Sequence, residues 1–151
     1  MRSINEQATS ALRLECDKAL INLLYAANRC NLEMRERLKD FQITTQQFNV
    51  LRILRGQYPG AATISLIKQK MVDKMSDISR IIDRLLQKKF VVREPGNSDR
   101  RTVDISINES GLKLLEAIDQ QVDLSTFIAR KLTLDQAKGL NHLLDKLNRK
   151  A

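Results

Sequence analysis

Tryptophan is absent, and two Tyr and four Phe are the only aromatic residues, so any core this chain builds is aliphatic. The two cysteines, Cys16 and Cys30, are too few for a secreted disulfide scaffold or a cysteine-rich zinc site, which implies a reducing compartment. The single histidine, His142, has no partners suited to metal or acid–base work and reads as a structural or surface residue. Glycines at 56, 60, 96, 111 and 139 are too scattered for a phosphate-cradling loop, and no spacing among the 18 acidic residues singles out a catalytic pair. The longest largely apolar stretch, residues 19–27, is broken by Asn22 and falls short of the ~20 residues a membrane span needs. Glu6, Arg13, Glu15 and Asp17 interrupt the N-terminus before a signal-peptide apolar region could form. The expectation is a soluble, cytoplasmic protein that is not an enzyme, with no catalytic group, cofactor or metal.

What is present is a chain of 151 residues, enough for a single domain with a sizeable core. The net charge of +8 is unevenly spread. Residues 1–45 carry seven basic and six acidic groups, residues 46–67 two and none, residues 68–101 ten and five, and residues 102–151 seven and seven. Most of the excess lies in the middle third, as a polyanion-binding surface requires, although charge runs also occur as plain solvated faces.

Hydrophobic periodicity supplies the organisation. Leu12, Cys16, Ala19, Leu23, Ala27, Cys30, Met34, Leu38 and Phe41 recur at close to the helical period, predicting one long amphipathic helix with an irregularity near Asn31. It would be about 40 Å long, more than a small domain covers by itself, and so calls for a partner chain. Thr44 and Gln47 form a capping box for a second helix over 44–56, and residues 57–60 break it. Thr63 and Ile64 suit a very short strand before a short helix begun by Ser65. A further helix is predicted from Ser76, with Asp73 as a competing cap, to residue 88. On it Ile78, Ile81, Ile82, Leu85 and Leu86 share an apolar face, while Ser76, Arg80, Asp83, Arg84 and Gln87 lie opposite. Residues 90–93 and 102–107 read as strands of a hairpin with a polar, turn-rich tip. Asn108 or Ser110 should cap a long helix carrying Leu112, Leu115, Ile118, Val122, Ala129 and Leu132. Thr133 and Gln136 form a capping box for a last helix with Ala137, Leu140, Leu143, Leu144 and Leu147 inward.

The fold class is therefore mainly α with a small β-hairpin. The expected architecture is a winged helix-turn-helix over residues 42–108, within a single domain 1–151 whose helices 1–41 and 109–151 serve dimerisation. A helix with one side anchored and one side polar, followed by a basic wing, is what entry into a major groove demands.

The segments FQITTQQFNVLRIL, SDISRIIDRLLQKKFVVR, NSDRRTVDISI and NESGLKLL, from Phe41 to Ile118, resemble the MarR family of bacterial transcription regulators. The resemblance implies a homodimer on a pseudo-palindromic operator in double-stranded DNA. Arg80 would meet base edges, Arg101 would enter the minor groove, Asp99 would hold the wing in shape, and Thr63 and Ser65 would approach phosphate. With Ser76, Ser79, Arg84 and Arg100 these make up the expected DNA-binding set. A small aromatic ligand adjusting a repressor is also implied. Two positions depart from the family pattern. Lys89 replaces a Gly that takes the left-handed conformation, and Asn108 replaces a capping Thr. Ile21 stands where some members carry a peroxide-sensing cysteine four residues before a Tyr, here Tyr25, so simple packing is the expectation for Cys16 and Cys30. The alternative is a winged-helix protein-interaction module that never touches DNA; such a surface should be apolar or acidic where this chain has Arg80, Arg84, Arg100 and Arg101.

Overall fold

In a computed structural model the described residues are 4–97, 99, 101–123 and 125–149. Helix α1 (Ile4–Leu38) ends in a 3-10 turn (Lys39–Phe41) and is followed by α2 (Thr45–Gln57), β1 (Ala62–Thr63), α3 (Ile64–Lys70) and α4 (Ile78–Gln87). The hairpin β2 (Val91–Pro95) and β3 (Val103–Ile107) leads to α5 (Glu109–Gln121), a short α6 (Thr126–Ala129) and α7 (Leu134–Asn148). The strands form one antiparallel sheet in the order β1-β3-β2, with Ala62 opposite Ile105 and Val91 opposite Ile107. The expected hairpin is thus joined by a third, two-residue strand, which sits at 62–63 rather than 63–64.

Both predicted capping boxes form. Thr44 Oγ1 accepts from the Gln47 N–H at 3.1 Å while Gln47 Oε1 accepts from the Thr44 N–H at 3.2 Å. Thr133 and Gln136 repeat the arrangement on α7. Asn108, not Ser110, caps α5, accepting from the Gly111 N–H at 3.0 Å and donating through Nδ2 to the Lys89 carbonyl. Lys89 adopts φ 61°, the left-handed conformation implied for the residue after the reading helix.

Among the boundaries that differ from expectation, three in the helices have a local cause. Helix α3 begins at Ile64, capped by Thr63, whose Oγ1 accepts from the Leu66 N–H at 3.1 Å; Ser65 lies inside its first turn. Helix α4 begins at Ile78, capped by Asp77 through the Arg80 N–H at 3.2 Å, so Ser76 precedes the helix. Asp73 organises the preceding turn, with its carboxylate accepting from the Met75 N–H and its carbonyl from the Ser76 N–H. The long helix expected over 109–132 is broken after Gln121. There Asp123 Oδ1 accepts from both the N–H and the hydroxyl of Ser125, a local bond that competes with the helical ladder. The hydroxyl of Ser125, followed by that of Thr126, holds the Asp123 carboxyl below its ordinary pKa. Near Asn31, by contrast, α1 continues without interruption.

Among the described residues, every buried apolar side chain lies between Leu38 and Ile118, gathered around Leu51, Leu54, Ile67, Ile82, Leu85, Ile105 and Leu115. Helix α1 joins this core only at its C-terminal end, through Leu38 and the half-buried Met34. Its earlier seam stays open, with Leu12 66% and Leu23 39% exposed, and both cysteines are free thiols. On α7, Leu143 and Leu147 are also open, and His142 is exposed. Phe127 of α6 packs beneath Arg29 of α1 and Lys131, whose cations lie 5.8 and 5.0 Å from its ring centre. No described helix is long and apolar enough to cross a membrane.

Candidate nucleic-acid interface

Helix α4 is anchored on one side only. Ile78, Ile82 and Leu85 are buried against α2, α3 and the sheet, and Ile81 and Leu86 flank them half-buried. At 100° per residue this directs Ser79, Arg80, Asp83, Arg84 and Gln87 outward, and all five are exposed. Asp83 is engaged with Arg93 of β2 at 2.9 Å, which ties the wing to α4. The guanidinium groups of Arg80 and Arg84, one turn apart, make no hydrogen bond or ion pair with the described residues. They are fixed in place by a rigid helix and left available to an external acceptor.

The wing tip is shaped by Asp99. Its carboxylate accepts from the Arg101 N–H at 2.9 Å, and its carbonyl accepts from the N–H and hydroxyl of Thr102. Gly96 donates its N–H to the Thr102 carbonyl, and a Cβ at residue 96 would overlap the Thr102 hydroxyl and lie 2.6 Å from the Asp99 carbonyl oxygen, so only glycine fits that approach. Asp99 therefore orients Arg101 through the main chain, while the Arg101 side chain is exposed and unpaired among the described residues. Arg100 lies outside the described residues.

The remaining expected residues are placed less uniformly. Ser65 is exposed, whereas the Thr63 hydroxyl is occupied in capping α3. The Ser76 hydroxyl is buried and has no described partner. Asp77, Asp83, Lys88 and Arg93 were not singled out by sequence reasoning as site residues, yet each bonds at an end of α4 or between α4 and the wing. An aspartate directly before Ile78 was the available signal for the cap; the ion pair from α4 to the wing has no local signature.

Two open clefts border this surface. One, of about 1010 Å3, separates the end of α1 from α2 and is lined by Arg35, Lys39 and Arg52 together with Met34, Phe48 and Met71. The other, of about 530 Å3, lies between the start of α2 and α4 and includes Thr44, Gln46, Arg80, Arg84 and Lys88. Among the described residues, no group of His, Cys, Asp and Glu is arranged to hold a metal ion.

Comparison with known proteins gives a consistent result. The model of the MarR family matches residues 43–103. The multiple antibiotic resistance protein MarR of Escherichia coli is 32% identical over 118 residues, covering 76% of this chain and 79% of that protein. An uncharacterized HTH-type transcriptional regulator of Bacillus cereus is 31% identical over 131 residues, with 85% and 86% covered. Among solved structures, a cysteine-to-serine mutant of MarR from Escherichia coli complexed with operator DNA superposes with a TM-score of 0.78 at 28% identity, covering 87% of this chain and 94% of that one. The chain belongs to the MarR family and is a winged helix-turn-helix transcriptional regulator.

Proposed function

We propose that this protein is a homodimeric repressor in the cytoplasm that binds a pseudo-palindromic operator. The lobe 42–108 reads DNA, and residues 1–41 and 109–151 join the two copies. The observation that carries this reading is the pair Arg80 and Arg84, held unpaired on the outer side of a helix whose inner side is locked into the core. Two such helices related by a dyad would enter successive major grooves about 34 Å apart. Arg80 and Arg84 would reach base edges beside Ser79. Ser65 and Thr63 would lie toward phosphate, Asp99 would present Arg101 to the minor groove, and Ser76 and Arg100 belong to the same expected DNA-binding set. The likeness to a MarR–operator complex supports the assignment. The exposed Arg80, Arg84 and Arg101 on this surface disfavour the protein-interaction alternative.

The cleft beside α1 suits a small aromatic ligand, since it sets the apolar Met34 and Phe48 among the charged Arg35, Glu36, Lys39, Arg52 and Asp73. It adjoins the joint between α1 and α2, where an occupant can bias the spacing of the reading helices.

The test is a titration of the protein against duplexes from the DNA flanking its own coding region, followed by footprinting. A dyad-symmetric footprint and an affinity that falls steeply with salt are expected, as lysine and arginine displace counterions from phosphate. Equal affinity for dyad and scrambled duplexes would overturn the reading.

A further inference from the structure

Lys88 sits at the C-terminal end of α4, in the most basic stretch of the chain, where it has the sequence character of a phosphate contact. Its ammonium is turned the other way. Nζ donates to the Gln42 carbonyl and to Gln47 Oε1, the latter at 3.1 Å, reaching partners 46 and 41 residues earlier. Both acceptors belong to the joint between α1 and α2. Gln42 follows the 3-10 turn that ends the first helical run, adopts φ 54°, and donates its N–H to the Lys39 carbonyl. Gln47 is the buried polar side chain of the core, 7% exposed, and its Oε1 also accepts from the Thr44 N–H in the capping box. One amide oxygen therefore serves the start of α2 and the end of α4 at once. A charge-assisted bond to a main-chain carbonyl and a second bond to a buried amide are stronger than ordinary surface contacts.

We propose that Lys88 is a positioning residue: it latches the end of the reading helix to the α1–α2 joint, so that the angle of the lobe against the first helix sets the pose of Arg80 and Arg84. The three cations lie one turn apart along α4, and the latch fixes the row at its far end. Gln42 and Thr44 also line the larger cleft, so a displacement of the joint there is carried to α4 through two hydrogen bonds. For its effect on DNA the inference rests on the operator-binding reading, whereas the latch itself is a property of the free protein.

The experiment compares the full chain with Lys88→Met, which keeps the aliphatic stem and removes the donors, and Lys88→Arg, which keeps charge and donors. In the free protein, amide exchange at Gln47 and in the last turn of α4 should quicken roughly tenfold in Lys88→Met and return toward wild type in Lys88→Arg. On operator DNA, Lys88→Met should weaken binding roughly tenfold while leaving the slope of log affinity against log salt unchanged, because no phosphate contact is lost. Arg101→Ala is the contrasting case, with a slope reduced by about 1. A reduced slope in Lys88→Met with unchanged exchange would make Lys88 a phosphate contact and overturn the latch, as would wild-type behaviour in both measurements. If no duplex binds even the wild type, the operator reading fails while the exchange data still decide the latch. Should Lys88→Met fail to fold, the Lys88 ammonium resonance of the wild type replaces it: slow exchange with water is expected, and a solvent-averaged signal overturns the proposal.

Discussion

The closed core from Leu38 to Ile118, which takes in the lobe 42–108 with the end of α1 and much of α5, and the helical stretches outside it are built from similar residues and finished to different degrees. Leu51, Leu85 and Ile105 are sealed completely by their own chain, whereas Leu12, Leu143 and Leu147, from periodic apolar stripes, stand more than half exposed. Apolar surface left open in a periodic stripe is the signature of a surface meant for burial elsewhere. On the proposed division of the chain, one copy completes the reading lobe but supplies only half of the region that would set where two lobes stand. Specificity for a spaced, two-fold site then depends on the unfinished half, through the distance it imposes between finished ones.

The largest effect should come from breaking the unfinished region. Leu143→Glu places a charge in the stripe formed with Leu140 and Leu147, where burial against a second copy would cost several kcal/mol. Sedimentation should show monomers at micromolar concentration, and operator affinity should fall about 100-fold or more as the second half-site contact is lost. A Leu143→Glu dimer that binds as wild type would place the seam elsewhere.

Truncation sharpens the same contrast. Leu51→Ala empties space in a closed core and should destabilise the protein by about 2–5 kcal/mol, lowering the melting temperature equally at low and high protein concentration. Leu143→Ala should show a melting-temperature loss that shrinks as concentration rises, since mass action restores association. Thermal melts over a hundredfold range of concentration separate the two behaviours.

Within the finished lobe, the arginines of helix and wing should divide their work. Arg80→Ala should cost about 1–3 kcal/mol of operator binding and relax preference at one symmetric pair of base positions. Arg101→Ala should weaken binding to every operator, most where A·T-rich flanks narrow the minor groove. Asp99→Ala should resemble Arg101→Ala in part, because the carboxylate that holds the Arg101 N–H is gone while the guanidinium keeps its charge. Binding isotherms on a set of single-position operator variants read these patterns directly.

The parts legible in the sequence are those set by neighbours three or four residues apart. The capping boxes at Thr44 and Thr133, the Asn108 cap and the apolar face of α4 depend on such spacing, and all form. At the start of α4 sequence reasoning weighs Ser76 and Asp73 and passes over Asp77, since local chemistry alone does not rank them; the helix starts where Ile78 meets the core. The break after Gln121 was hidden because Val122, Ala129 and Leu132 continue a helical period across it, while Asp123 captures Ser125 and turns the chain. The pairing of β1 with β3, the ion pair of Asp83 with Arg93 and the reach of Lys88 to Gln42 join residues far apart in the chain, and no local pattern encodes them. For the same reason the exposed arginines of the site were readable from α4 alone, and the groups that aim them were not.

The smallest effect, and the one with the opposite sign, concerns the hinge from reading helix to wing. The N–H of Phe90 bonds to the Leu85 carbonyl and that of Lys89 to the Leu86 carbonyl, the paired bonds of a helix end whose closing residue must turn left-handed. Lys89 does so at φ 61°, a conformation that crowds any Cβ and costs a non-glycine residue about 1 kcal/mol. Its carbonyl is held by Asn108 Nδ2 at 2.8 Å, and this main-chain contact survives a change of side chain. Lys89→Gly should therefore relieve up to about 1 kcal/mol of strain in the folded lobe, less the greater freedom glycine gains in the unfolded chain, and raise the melting temperature by at most about 2–4 °C. Unlike Lys88, the Lys89 side chain has no described partner, so the helix-to-joint contact and the protection of Gln47 from exchange should be unchanged. A melting temperature that falls in Lys89→Gly would show that the lysine stem packs usefully over the hinge and that the backbone cost is the lesser term.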